Sequence, residues 1–122
     1  MANTVVRLGK GQITATTSGT AEVITTNPTA YDTVVDYIMI FNTHSSAVTI
    51  YLYQVDDNAL QVGTLAATDQ FFQYALAAYE TLLLGRQDIM LVMSDTNDTL
   101  KAYASVTAKL NYWVYGMKLD DQ

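Results

Sequence analysis

Histidine and cysteine, the side chains most often used for nucleophilic or metal chemistry, are nearly absent from this sequence. Its 122 residues include one histidine, His44, and no cysteine. A structural zinc site needs about four such ligands, and the G-x-S-x-G turn that carries the nucleophile of α/β-hydrolases does not occur here. The pattern predicts that His44 is a solvated loop residue. We therefore expect no catalytic residue and a protein that is not an enzyme.

Two short acidic segments, Asp56-Asp57-Asn58 and Asp95-Thr96-Asn97-Asp98, have the residue types of a calcium loop. The helix–loop–helix calcium motif also needs glycine at its sixth position and glutamate at its twelfth. Counted from Asp95, those positions hold Leu100 and Val106, so the motif is not matched. Because Asp and Asn also bond the local backbone in turns, we expect turns at both segments, with no metal and no cofactor. A non-standard surface calcium site is the alternative.

The richest group of recognition residues is the segment Tyr112-Trp113-Val114-Tyr115-Gly116-Met117. Successive side chains of a strand point to opposite faces, so Trp113, Tyr115 and Met117 would share one face. Trp, Tyr and Met are enriched in the cores of protein interfaces. Three interpretations stay open: a protein interface, a part of the domain's own core, and an aromatic platform that stacks on sugars.

Composition limits the kind of protein that positions these residues. Half of the residues are hydrophobic and only 15% are charged, which is too apolar for a disordered chain. The net charge is −6 and the six basic residues are scattered, which argues against nucleic acid and membrane lipid as partners. No apolar run reaches the roughly 18–20 residues of a membrane span, and residues 1–4 lack the apolar core of a signal peptide. We expect one compact soluble domain.

The residue types predict an all-β fold. Val, Ile, Thr and Tyr are abundant, there is one proline, and polar turn clusters recur along the chain. This pattern is typical of an antiparallel β-sandwich or jelly roll of about eight short strands. We expect residues 1–12 to form an N-terminal arm or first strand, 13–110 a β-sandwich domain, and 111–122 a C-terminal strand extension and acidic tail.

Local patterns predict individual strands. Residues 3–8 and 12–17 would be two strands joined by a turn at Gly9-Lys10-Gly11. The apolar runs 33–42 and 47–55, separated by four polar residues, favour a β-hairpin. Alternation gives the first of these runs two apolar faces, so one face would need cover from this chain or another. The faces are Ile38 with Ile40, and Tyr37 with Met39 and Phe41.

Two later segments are ambiguous. Residues 59–84 carry apolar residues at helical spacing, but the β-rich context favours strands at 71–77 and 81–84 with a tight turn at 78–80. Residues 100–114 alternate without exception over roughly 50 Å, which exceeds an ordinary strand. We therefore expect a bend or break there, and we expect the chain to leave the domain body from Asn111 onward.

Three stretches carry a family resemblance. They are V-V-R-L-G-K-G-Q at 5–12, I-M-I-F-N-T followed by A-V-T-I-Y-L-Y within 38–53, and E-T-L-L-L followed by D-I within 80–89. Through them, and over residues 5–110, the chain resembles small virion proteins of tailed bacteriophages. It departs from that pattern at two turns, because Tyr79 and Gln87 stand where those proteins usually have glycine.

The resemblance implies a β-sandwich that forms symmetric oligomers, often trimers, in a virion. We expect a capsid cement or decoration protein on the capsid surface, a homotrimer that binds across capsomers and stabilises the shell. Its partners would be copies of itself and the major capsid protein or another virion protein. The alternatives are a tail, fibre or neck component and a carbohydrate-binding module. The expected interface residues are Val5, Val6, Arg7, Leu8, Tyr37, Met39, Phe41, Tyr112, Trp113, Tyr115 and Met117.

Overall fold

The computed structural model describes residues 5–28, 31–56, 66–89 and 91–120. These residues form nine β-strands and no α-helix. Single 3-10 turns occupy Ser18–Thr20 and Ala67–Asp69. The strands are β1 (Val6–Ile13), β2 (Glu22–Thr26), β3 (Tyr31–Asn42), β4 (Val48–Val55), β5 (Gln70–Leu76), β6 (Thr81–Leu84), β7 (Leu91–Met93), β8 (Thr99–Ala104) and β9 (Leu110–Asp120).

The order of the strands is that of a jelly roll. The five-stranded sheet runs β1-β9-β3-β6, with β7 also paired to β3, and the four-stranded sheet runs β2-β8-β4-β5. The first strand pairs with the last, β2 with β8, β3 with both β7 and β6, and β4 with β5. Nested antiparallel pairing of this kind is a long hairpin rolled into two sheets. The predicted all-β sandwich is confirmed, with nine strands in the described residues where about eight were expected.

The hydrophobic core lies between the two sheets. β3, β4, β8 and β9 contribute alternate side chains over most of their length, as the period of two requires. Ile38 and Ile40 of β3 are buried while Tyr37, Met39 and Phe41 lie on the outer side, so the predicted division of this strand is confirmed. The largest fully buried side chains are Ile13, Ile38, Ile40, Ile50, Leu52, Leu76, Met93, Leu100, Leu110, Val35, Val48 and Val55.

The predicted hairpin at 33–55 is wrong, although its two strands are present. β3 belongs to the five-stranded sheet and β4 to the four-stranded sheet, so residues 43–47 turn a corner between the sheets. The buried Asn42 holds that corner: its side-chain nitrogen lies 3.0 Å from the carbonyl oxygens of Ser46 and Ala77. The alternation of apolar and polar residues shows which side chains share a face of a strand, but it does not show which strand pairs with it.

The predicted turn at Gly9-Lys10-Gly11 is also wrong, because β1 runs through it. The pairing of β1 with β9 shifts by one residue between Arg7 and Gly9. A Cβ atom at Gly9 would lie 2.0 Å from the carbonyl oxygen of Ile24 on β2. Glycine within a strand can mark a close backbone approach as well as a turn, and here it allows β1 and β2 to touch.

The long alternating segment near the C-terminus is broken, as expected. β8 ends at Ala104 and β9 begins at Leu110, and Ala108 between them has a left-handed φ of 58°. However, β9 lies between β1 and β3 and pairs with both. The expectation that the chain leaves the domain body from Asn111 onward is therefore wrong.

The ambiguous segment contains strands where the structure describes it. β5 and β6 occupy the predicted positions, and the turn between them has Tyr79 at φ 60°. The amide N–H of Glu80 closes this turn by donating to the carbonyl of Ala77 at 3.0 Å. Residues 59–65 lie outside the described part of the chain.

Candidate assembly surface

The outer face of the five-stranded sheet carries a continuous group of aromatic and methionine side chains. Since Tyr37, Met39 and Phe41 point away from the core on β3, and β9 alternates in the same way, the two central strands contribute together. We call this group the outer aromatic face. It consists of Tyr37, Met39 and Phe41 on β3 and Trp113, Tyr115 and Met117 on β9, all half-buried.

The register of the two strands places these residues side by side. Met39 lies opposite Trp113, and Tyr37 lies opposite Tyr115. The rings of Tyr37 and Tyr115 stack with their centroids 4.9 Å apart and an interplanar angle of 26°. Offset stacking fixes aromatic side chains in one orientation. The face is therefore ordered before any partner arrives, which lowers the entropic cost of binding.

The charges around the outer aromatic face differ from those of the whole chain. Arg7 lies opposite Tyr115 and Lys10 opposite Trp113 on the neighbouring strand β1. The nearest carboxylate on β3, Asp36, pairs with the guanidinium of Arg86. The chain as a whole has a net charge of −6. This face is thus apolar at its centre and basic along the β1 side.

The structure separates the remaining predicted interface residues from this group. Tyr112 packs into the core, where burial, followed by the charge of Glu22, raises the pKa of its hydroxyl. Leu8 packs against the same core. Val5 and Val6 are exposed at the start of β1, where Val6 lies opposite Gly116 of β9 and not opposite a ring of this group.

A second aromatic group, which the sequence analysis missed, lies on the outer face of the four-stranded sheet. Tyr51 stacks on Tyr103 at 4.4 Å and 12°, and Tyr53 lies 6.0 Å from the same ring. Burial raises the pKa of Tyr53 to about 12, with a smaller contribution from its hydrogen bond to Tyr103. The available signal was the spacing of two in Tyr51 and Tyr53, which places both on one face.

The residues considered for chemistry lie in loops. His44 is in the corner after β3, where its amide N–H donates to Asn42 Oδ1 at 2.9 Å. Asp98 caps its own turn, because its carboxylate accepts the amide N–H of Asp95 at 3.1 Å. This is the turn chemistry predicted for residues 95–98. Asp57 and Asn58 lie outside the described residues.

The described residues contain neither a metal-binding cluster nor a membrane-spanning helix. No group of three or more His, Asp or Glu side chains within those residues is arranged to hold a metal ion. The same residues contain no helix with the length and hydropathy needed to cross a bilayer.

Comparison with known proteins shows similarity of fold at low sequence identity. No protein-family model and no curated protein matches the chain. A subunit of the Bacillus endospore appendages, described as disulfide-linked pili, is 15% identical with a TM-score of 0.45, over 100% of this chain and 93% of that one. The capsid asymmetric unit of cyanophage Pam1 is 12% identical with a TM-score of 0.45, over 96% of this chain and 86% of that one. A structure of the infectious bursal disease virus particle is 10% identical with a TM-score of 0.37, over 97% of this chain but only 31% of the other.

Proposed function

We propose that this protein is a structural component of a virion, a capsid cement protein that binds the shell as a homotrimer. The observation that carries the proposal is the outer aromatic face. The other side of the same sheet already fills the core, so these six side chains are available to a partner. Tyr, Trp and Met dominate the energetics of protein interfaces, whereas hydrophilic side chains usually cover the outer face of an antiparallel sheet.

The proposed role needs binding and no chemistry. A protein that binds only the assembled shell stabilises that shell by its own binding free energy. A flat, ordered apolar face suits this role, because little conformational entropy is lost on docking.

A carbohydrate-binding module is the competing function for the same face. Sugar platforms present open ring faces, but Tyr37 and Tyr115 each cover one face of the other. That arrangement favours a protein partner. Added sugars should therefore leave the fluorescence of Trp113 unchanged, and a shift on sugar addition would support the competing function.

The test uses particles produced by the genome that encodes this chain, purified on a density gradient. We expect the chain in those particles in stoichiometric amounts. Particles made without it should release their nucleic acid at a lower temperature, and adding the purified protein should restore the wild-type temperature. A chain that is absent from purified particles would refute the proposal.

A matched pair of variants tests the face itself. Tyr115→Ser removes one ring of a stacked pair from the outer aromatic face, and Tyr51→Ser removes one from the other sheet. Truncating a central interface residue costs about 2 kcal/mol, which is more than tenfold in affinity. We expect Tyr115→Ser to bind depleted particles at least about tenfold more weakly, while Tyr51→Ser binds like the wild type. Equal affinities would show that the face is not the docking surface.

A further inference from the structure

Exposed apolar residues lie at two opposite sides of the sandwich. Among the described residues, seven large apolar side chains are exposed. Two of them, Leu83 and Val92, lie opposite Met39 and Val34 and extend the outer aromatic face. Of the other five, one group, which we call the first edge, lies on or just before the edge strands β1 and β2, and the other, the second edge, lies on β5 and the turn that joins β5 to β6. The first edge consists of Val5, Val6 and Val23, and the second consists of Tyr74 and Tyr79.

The topology places these two groups on opposite sides. β1 and β6 are the outermost strands of the path through one sheet, and β2 and β5 are those of the other. β1 touches β2 at Gly9, and a tight turn joins β5 to β6. The first edge is therefore one side of the sandwich, and the second edge is the opposite side.

Tyr79 indicates that the second edge has a function. Its side chain is 61% exposed, and its backbone has φ 60°, a left-handed conformation that bulky residues rarely adopt. Glycine would occupy this position without strain. Strained residues that a fold retains cluster at functional sites. An exposed tyrosine kept in a strained turn is better explained by a contact with a partner than by folding.

The charges of the two edges are complementary. Arg7 and Lys10 are exposed on β1, and Lys101 lies opposite Val23. The first edge also holds the carboxylate of Glu22, which accepts the amide N–H groups of Thr14 and Ala15, so these three cations outnumber it.

The second edge carries the opposite sign. Glu80 lies in the β5–β6 turn and accepts the hydroxyl of Tyr74 at 2.8 Å. Asp88 is exposed in the turn after β6, where it accepts the amide N–H of Gly85 at 3.0 Å. The one cation of that turn, Arg86, is paired with Asp36. A first edge placed against another first edge would bring like charges together, and the same holds for two second edges.

We propose that the first edge of one copy packs against the second edge of the next copy. The inference rests on the proposed homo-oligomer and supplies its geometry. A ring of three needs two different, complementary patches on each subunit, whereas one self-complementary patch gives a twofold dimer. The two edges are such a pair. Side-by-side packing through them leaves the outer aromatic face of every copy free to bind the shell.

The test blocks one edge at a time. Val6→Asp introduces a carboxylate at the first edge and Tyr79→Asp introduces one at the second, both at exposed positions. Ser45→Asp, on the exposed loop between β3 and β4, adds the same charge outside the edge strands and the β5–β6 turn. The mass of each protein is measured by light scattering over a range of concentrations, and thermal unfolding confirms that each variant is folded.

We expect the wild type and Ser45→Asp to be trimers and each edge variant alone to be a monomer. An equal mixture of the two edge variants should form a dimer, because the intact second edge of one meets the intact first edge of the other. Tyr79→Gly should weaken association while raising the unfolding temperature. A monomeric wild type, edge variants that keep the trimer mass, loss of assembly in only one of them, or a mixture that stays monomeric would each overturn the proposal.

These outcomes separate this inference from the proposed function. Edge variants that remain trimers would refute the edge contact while leaving the trimer and its binding to particles intact. Conversely, a wild type that assembles through its edges but is absent from particles would refute the cement function alone.

Discussion

Two buried asparagines hold the corners of this fold in a way that no other residue type could. Asn27 and Asn42 are fully buried near opposite ends of the sandwich. The side-chain nitrogen of Asn27 donates to the carbonyls of Tyr31 and Asp95, and its oxygen accepts the hydroxyl of Thr33 at 2.6 Å. Buried carbonyls without a partner are costly. One planar amide satisfies several of them and ties together loops that are distant in sequence.

Asn42→Ala should strongly destabilise the protein. It leaves the carbonyls of Ser46 and Ala77 without their side-chain donor and removes the acceptor of the His44 amide. Each of these three hydrogen bonds contributes about 1 kcal/mol, so we expect the free energy of unfolding, measured in urea, to fall by about 3 kcal/mol. The control is Asn111→Ala, whose hydrogen bond to Gln12 is exposed. Similar losses for both variants would contradict the role of Asn42.

Tyr53 should make the protein less stable at high pH. Its pKa is about 12 in the folded state, against about 10 in an unfolded chain. Between these values the folded state keeps a proton that the unfolded state has released, so the free energy of unfolding falls as the pH rises. We expect Tyr53→Phe to flatten this fall between pH 10 and 12. If the free energy of unfolding falls with pH equally in the variant and the wild type, Tyr53 is not the source of the fall.

At the scale of elements, two glycines allow strands to approach more closely than side chains permit. Gly9 faces the backbone of β2, and a Cβ atom at Gly116 would lie 2.1 Å from the carbonyl oxygen of Val34 on β3. Both pairings shift register near these positions, β1 with β9 after Arg7 and β3 with β9 after Val35. Such bulges increase local twist, which rolls a flat hairpin into two facing sheets.

Gly9→Ala should therefore be disruptive. The new Cβ would overlap the carbonyl oxygen of Ile24. Both β1 and β2 would have to move their backbones to relieve this overlap, which costs free energy. We expect a loss of at least about 3 kcal/mol. Gly85→Ala is the matched control, because nothing lies within 4 Å of its Cβ position. Because alanine has less conformational freedom than glycine in the unfolded chain, we expect Gly85→Ala to leave the stability unchanged or raise it slightly. Comparable unfolding curves for the two variants would refute the close approach.

Strand positions were predictable from the sequence, whereas strand pairing was not. Alternation correctly divides β3 into a core face with Ile38 and an outer face with Met39. It cannot show that β3 pairs with β9 instead of β4, because pairing depends on contacts between residues about 70 positions apart. The turn at Gly9 was misassigned for the same reason: its neighbour, Ile24, belongs to another sheet.

At the scale of the whole molecule, the same limit applies to the candidate surfaces. The outer aromatic face was predictable in part, since Trp113 and Tyr115 alternate on one strand and Tyr37 and Met39 on another. The sequence did not predict that these two strands are neighbours in the sheet. The second edge was missed because Tyr74 lies in an ordinary strand pattern and Tyr79 lies in a turn. Tyr74 pairs with the buried Ile50 and is exposed because β5 is an edge strand, which is a property of the finished topology.

Trp113 distinguishes self-association from docking. It is the only tryptophan and lies on β9, the strand between β1 and β3, so its emission reports on the centre of the outer aromatic face. If copies pack through their edges, the emission maximum should stay constant while the mass rises from 13.4 kDa toward three times that value. Binding to depleted particles should then shift it to the blue, since docking removes water from the indole. If the emission maximum shifts to the blue as the mass of the protein alone rises, copies associate through the outer aromatic face, and the edge contact is wrong.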